Sequence, residues 1–213
     1  MTIKINQPTF ILGASHTIGS YILPGHDLSE NLPIKIPVKI GNCLEIINGV
    51  KEKRFQMGLI ETPLFDDDLQ YIKWLENELI VCSKAPLPEE ITKEHLKQYR
   101  LLAREEGSST RIYVESFLNK FGLSYENFGA LHQIDNATAA IQSIKWSNPK
   151  ATLPSITIVS KRAIEEELNK GELFAAKLCK EGMHHHYHFI YRKDNENIQI
   201  IEQIINRVQQ IKG

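Results

Sequence analysis

What these 213 residues hold little of excludes several kinds of protein. Cysteine is scarce: Cys43, Cys82 and Cys179 are an odd number, far apart, and without CxxC spacing. That pattern argues against a disulfide framework and fits a reducing cytoplasm. No apolar run nears the ~20 residues a membrane-spanning helix needs, and Met1-Thr-Ile-Lys is no signal peptide. A cytoplasmic protein is therefore expected. Neither sign of charge is in excess, since 25 basic and 26 acidic residues leave a formal charge of −1. A chain so balanced does not grip nucleic acid by itself. Internal repeats, low-complexity tracts and a G-x-S-x-G elbow are also missing. What remains is 42% hydrophobic and 24% charged, which suits one globular unit or two small lobes. That length buries a core without a metal or disulfide staple.

The stretch from Leu101 to Arg111, LLAREEGSSTR, organises the rest. Leu101 to Ala103 read as the end of a buried strand, Gly107 as a tight turn, and Ser108, Ser109 and Thr110 as a helix start. The helix has Val114, Phe117, Leu118 and Phe121 at i, i+3, i+4, i+7, one apolar face, and Gly122 stops it. A helix start leaves N–H groups without partners and carries roughly half a positive charge. With hydroxyls beside it, such a start suits a carboxylate or small oxyanion. The plainer reading is that Ser108 or Ser109 merely caps its own helix.

Taken in order, Thr9 to Ala14 reads as a buried strand. Ser15, His16 and Thr17 lead into a short helix ended by Pro24. Ile34, Ile36, Val38 and Ile40 alternate as a strand, which Pro37 assigns to an edge. Leu44 to Val50 is a helix weakened by Gly49, and Phe55 to Ile60 is a third strand leading into Glu61 and Thr62. Leu69–Leu75 and Glu78–Ser83 are extended segments, and a short helix is expected after Pro88, through Leu96. Gly129 to Ile134 is a strand, after which Asp135 or Asn136 caps a helix with Ala137, Ala140, Ile141 and Ile144 inward. Ile156–Val159 is a strand, Ile164 and Leu168 mark a helix, and His184–Tyr191 alternates as a strand. Ile201, Ile204, Ile205 and Val208 define a C-terminal amphipathic helix. Strands alternating with helices indicate parallel βαβ units with ligand-binding loops at the carboxyl ends of the strands.

The blocks LGASHTIGSYILP, GNCLEIINGV…FQMGLIE, LLAREEGSSTR…ESFL and PSITIVSKRAIEEELNKGELF, in that order, resemble the effector-binding domain of LysR-type transcriptional regulators. The resemblance covers roughly Phe10 to Arg192. It implies an α/β fold of two Rossmann-like lobes joined by two crossover strands, like type 2 periplasmic binding proteins. Lobe I would be 1–80 plus 187–213 and lobe II 81–186, with the ligand cleft between them. Carried over by position, a small effector, expected to be anionic, would meet Ser15, His16, Thr17, Glu61 and Thr62 from one lobe. Ser108, Ser109, Thr110, Asn136 and Thr138 would serve from the other. No cofactor and no enzymatic activity are expected. The resemblance also implies a homodimer, a tetramer at full length, and DNA contact only through an N-terminal winged helix-turn-helix absent from this chain. Two local departures stand out: Asn148-Pro-Lys-Ala-Thr152 replaces a glycine-rich turn, and Gln56 stands where an aspartate is usual.

Other readings remain beside this one. A transporter's solute-binding protein would share the fold. Imidazoles of His184, His186 and His188 on one strand face would suit a metal sensor for zinc, nickel or copper. Ligands at i, i+2, i+4 lie ~7 Å apart along a strand, however, so an ordinary half-exposed strand is the simpler reading. Ser108, His16 and Glu61 contain the residue types of a hydrolase, but nothing in their spacing forces contact. Arg104 and Arg111 would meet an anionic ligand or neighbouring carboxylates. Glu105, Glu106 and Glu165 to Glu167 read as solvated charges, and Trp74 and Trp146 as packing residues.

Overall fold

The computed structural model describes residues 9–61, 64–179 and 182–211. The chain begins with β1 (Leu12–Ser15), β2 (Val38–Gly41), α1 (Cys43–Lys51), β3 (Met57–Ile60) and β4 (Leu69–Ser83). It continues through β5 (Glu90–Ile91), β6 (Arg100–Arg104), α2 (Ser109–Lys120), β7 (Ala130–Ile134), α3 (Ala137–Lys145) and β8 (Ser155–Ser160). It ends with α4 (Glu165–Asn169), β9 (Phe174–Leu178), β10 (Met183–Arg192) and α5 (Ile198–Gln209). Two units result: Met1–Leu75 with Tyr187–Gly213, and Glu76–His186. The chain passes out of the first within β4 and returns within β10.

In the first unit β1 lies between β2 and β3, parallel to both, with Leu12 opposite Val38 and Met57. β10 joins β3 antiparallel, His188 opposite Ile60. Every residue of β1 and β3 is buried, as strands covered on both faces must be. On one side Ile201, Ile204, Ile205 and Val208 of α5 pack with Phe10, Leu12, Leu59, Tyr187 and Phe189. Trp74 packs there too, its ring 5.2 Å from that of Phe189. On the other side α1 approaches closely because glycines let it: a Cβ on Gly13 would lie 2.8 Å from the Phe55 ring, and one on Gly58 2.7 Å from Ile46. Gly49, which weakens α1 by propensity, faces that same Phe55 ring. Asn42 and Glu45 close a reciprocal capping box at the start of α1, with bonds of 2.9 and 2.8 Å. Gln56 is structural, accepting the Ile11 N–H at 2.6 Å.

In the second unit β6 lies between β7 and β8, parallel to both. β4 joins β8 antiparallel, and β9 joins β4 antiparallel. The antiparallel strands are thus β4 and β10, which carry the chain between units, together with β9. α2 ends in a Schellman motif, Leu123 N–H to Leu118 C=O and Gly122 N–H to Asn119 C=O, with Gly122 at φ +63°.

Several expectations are corrected. The two extended segments from Leu69 are one 15-residue strand. No helix follows Pro88; β5 forms instead, then a 3₁₀ turn at Leu96–Gln98, because Glu90 and Ile91 pair with Lys177 and Leu178 of β9. β9 has no alternation to announce it. The short helix before Pro24 is a wide π turn, Ile18–Ile22. Phe121 lies just past α2, 36% exposed rather than in the core. Trp146 is 87% exposed and packs nothing into the core.

Candidate functional site

Both units place polar side chains where apolar strands run out. In the first, Ser15 ends β1 and Glu61 follows β3, the strand beside it. Their side chains meet: Ser15 Oγ donates to Glu61 Oε1 at 3.1 Å, with Ser15 1% and Glu61 4% exposed. Thr17 is buried as well and His16 half-buried. Thr62 lies outside the described residues.

In the second unit β6 delivers Arg104, and Gly107, at φ +81°, makes the turn that a residue with a Cβ resists. Ser108, Ser109 and Thr110 then open α2, and all three are buried. Ser108 is the N-cap by position, yet its side chain makes no capping bond to its own helix. The plainer reading of this serine therefore fails. Asn136 does behave as a cap, its Oδ1 accepting the Ala139 N–H at 2.8 Å. That bond uses one of the oxygen's two lone pairs, and Thr138 beside it is exposed. The structure thus gathers Ser108 to Thr110 into one buried helix start, and gives the Asn136 side chain a capping bond.

The charged neighbours are mostly satisfied internally. Arg104, 5% exposed, is held in a two-pronged bond to Glu105 at 2.8 and 2.9 Å, so Glu105 is not a solvated charge. Arg111 pairs with Glu115 at 3.0 Å and donates to the Arg104 carbonyl at 3.2 Å. Glu167 is likewise engaged, with Lys145 at 2.8 Å. The Cys82 thiol is pushed up to about 12 by burial, which leaves it unreactive at neutral pH.

One polar group was not anticipated from the residues. Asn77 on β4 accepts from Ser160 Oγ at 2.5 Å and lies 3.3 Å from His185 Nε2 on β10. All three are buried, and the Tyr113 ring of α2 lies tilted against that of His185, their centroids 5.2 Å apart. Tyr113 is one turn from Ser109, on the same helix face, so this cluster adjoins the α2 start. The signal for it was Ser160, a hydroxyl closing an apolar strand as Ser15 does. Nothing marks Asn77 or His185 in the sequence.

The histidine run alternates as expected, with His185 and Tyr187 inward and His184, His186 and His188 more exposed. His184 Nδ1 lies 3.7 Å from Glu76. Among the described residues no group of three or more His, Cys, Asp or Glu is placed to hold a metal. A surface cavity of about 230 Å³ in the first unit is lined by Lys53, Gln56, Arg192 and Asp194, none of them expected to bind ligand. Its cations are already paired with Asp194.

Known proteins bear out the fold and the resemblance. The sequence profile of the LysR substrate binding domain matches residues 6–211. The HTH-type transcriptional regulator YeiE of Escherichia coli (strain K12) is 32% identical over 173 residues, 75% of this chain and 54% of that protein. CysL of Bacillus subtilis (strain 168) is 32% identical over 119 residues, 53% of this chain and 40% of CysL. The chain thus spans about half the length of the relatives it matches. The regulatory domain of CcmR from Synechocystis PCC6803, solved in complex with 2-PG, superposes with a TM-score of 0.77 at 18% identity, covering 95% of this chain and 96% of that one. The effector-binding domain of QuiR, solved with shikimate, gives 0.76 at 13% identity, with 96% of each chain covered.

Proposed function

The chain belongs to the family of LysR substrate binding domains, and from that premise we propose that it senses a small anionic effector through its polar helix starts. The observation that carries this reading is the start of α2. Three buried hydroxyl residues stand at the positive end of a 12-residue helix, and the N-cap serine leaves its own helix uncapped. Ser15, His16, Thr17 and Glu61 are the corresponding groups of the first unit. Thr62 is carried over from the resemblance alone. The chain works by binding, not by turnover.

In the whole protein, binding biases a conformational equilibrium that an attached DNA-binding domain reads. The working assembly is a homodimer, and a tetramer at full length. Edge strands support that assembly: β2 and α1 expose Ile40 and Leu44, and β7 and α2 expose Leu131 and Ile112. Edges with apolar side chains invite pairing with another copy. The protein acts in the cytoplasm; among the described residues no helix is long and apolar enough to cross a membrane.

The test is a thermal-shift screen of carboxylates and oxyanions, followed by calorimetry on Ser108→Ala and Thr110→Ala. Each loss should cost about 1–3 kcal/mol of binding, roughly 5- to 150-fold in Kd. Unchanged affinity in both variants would reduce the α2 start to a structural turn.

A further inference from the structure

The cavity of about 230 Å³ in the first unit lies at the other end of β3 from the proposed effector groups: Gln56, in its lining, precedes that strand, and Glu61 follows it. Its walls come from the turn after α1, the end of β10 and the turn into α5. It is smaller than the roughly 300–1,000 Å³ of drug-sized sites, which suits a small metabolite. Its charges are balanced but not all matched. Arg192 donates to Asp194 at 2.6 and 3.1 Å and to the Lys51 carbonyl at 3.1 Å. Lys53 donates to Asp194 at 3.2 Å, which leaves most of its ammonium N–H groups unused. Gln56 accepts the Ile11 N–H through Oε1, so its amide N–H pair is left to donate. Glu196, on the same cavity, is exposed and is in no ion pair among the described residues.

Spare donors thus stand on Lys53 and Gln56, and a spare carboxylate on Glu196. A plain anion in this cavity would face the carboxylates of Asp194 and Glu196, and a plain cation would face Lys53 and Arg192. A molecule that carries both charges meets both sets of groups with charge-assisted hydrogen bonds. The half-buried Phe55 ring supplies an apolar wall for whatever joins the two ends. We infer that this cavity is a second ligand site, and that it takes a small zwitterion of the α-amino acid class. The carboxylate of the ligand lies on Lys53 and Gln56, and its ammonium on Glu196. The site is separate from the effector groups, and neither reading depends on the other.

A thermal-shift screen of the whole chain against the common L-amino acids selects the probe, and calorimetry measures its affinity. The N-acetyl form of that amino acid lacks the ammonium and its amide form lacks the carboxylate. Each should bind about ten-fold more weakly or worse. Lys53 has φ +61°, a conformation that glycine adopts freely, so Lys53→Gly removes the ammonium and leaves the turn intact. This variant should lose about ten-fold in affinity while its melting temperature holds or rises. Lys53→Asn, which also tolerates that conformation, serves if the glycine variant fails to fold. Glu196→Gln should lose affinity for the amino acid and, with it, the preference over the N-acetyl form. Equal affinity for the three forms, or an affinity that neither Lys53→Gly nor Glu196→Gln lowers, overturns the inference. A loss on Ser108→Ala without one on Lys53→Gly puts the ligand among the effector groups and overturns it too. So does the failure of every amino acid to bind, which leaves the anionic-effector reading standing.

Discussion

Ser108 and Asn136 are both small polar residues at helix starts, and only one of them caps. The Asn136 side chain reaches the Ala139 N–H, whereas the Ser108 side chain does not bond its own helix. Sequence pattern treats the two alike, since the difference is a side-chain orientation set by what surrounds each start. A separate prediction at this scale concerns acid stability. Asp194 accepts from Arg192 at 2.6 Å and from Lys53 at 3.2 Å, and these bonds lower its carboxyl from 3.8 to about 2. A depressed folded-state pKa means a contribution fully present above the unfolded value and lost as pH falls through the folded one. Melting temperature should therefore fall between pH 4 and pH 2, and Asp194→Asn should flatten that part of the curve. The contribution is small because the carboxylate is solvent-exposed, so a curve of unchanged shape in the variant would remove the ion pair from the stability account.

Among the elements, α5 was the most legible from sequence, because isoleucines and valine at helical spacing have one physical explanation. Its Ile201, Ile204, Ile205 and Val208 are all buried. Ile205→Ala should destabilise the chain by about 2–5 kcal/mol, read from denaturant unfolding, at the lower end because this residue keeps 7% exposure. A loss under about 0.5 kcal/mol would mean that α5 packs loosely. β5 and β9 were illegible for the opposite reason. Two-residue β5 has no periodicity of its own, and its Glu90 and Ile91 are extended because Lys177 and Leu178 offer them a ladder. Local acidic residues that favour a helix start lose to that pairing.

For the whole molecule, the exposed edge strands β2 and β7 bear on the proposed assembly. Arg111 reaches Gln133 at 3.3 Å, which ties α2 to edge strand β7 and brings Ile112 and Leu131 onto neighbouring elements. Leu131→Glu combined with Ile112→Glu should shift a dimer toward monomer by ten-fold or more in dissociation constant, measured by sedimentation, without lowering the monomer's melting temperature. A dimer unaffected by both charges would place the interface elsewhere.

Residue order alone determined the α/β class, the strand–polar turn–helix devices at Ser15, Ser108 and Asn136, the apolar faces of α3 and α5 and, Phe121 excepted, of α2, and the family resemblance. These follow from period, turn chemistry and helix-start composition, all local properties of the chain. Tertiary structure alone decided which polar groups meet. Ser15 and Glu61 are 46 residues apart and touch because β1 and β3 are neighbours in one sheet. Ser160 and Asn77 are 83 residues apart and touch because β8 lies against β4. Strand adjacency is a non-local choice, settled by which sheet buries the most apolar surface, and no short window of sequence contains it.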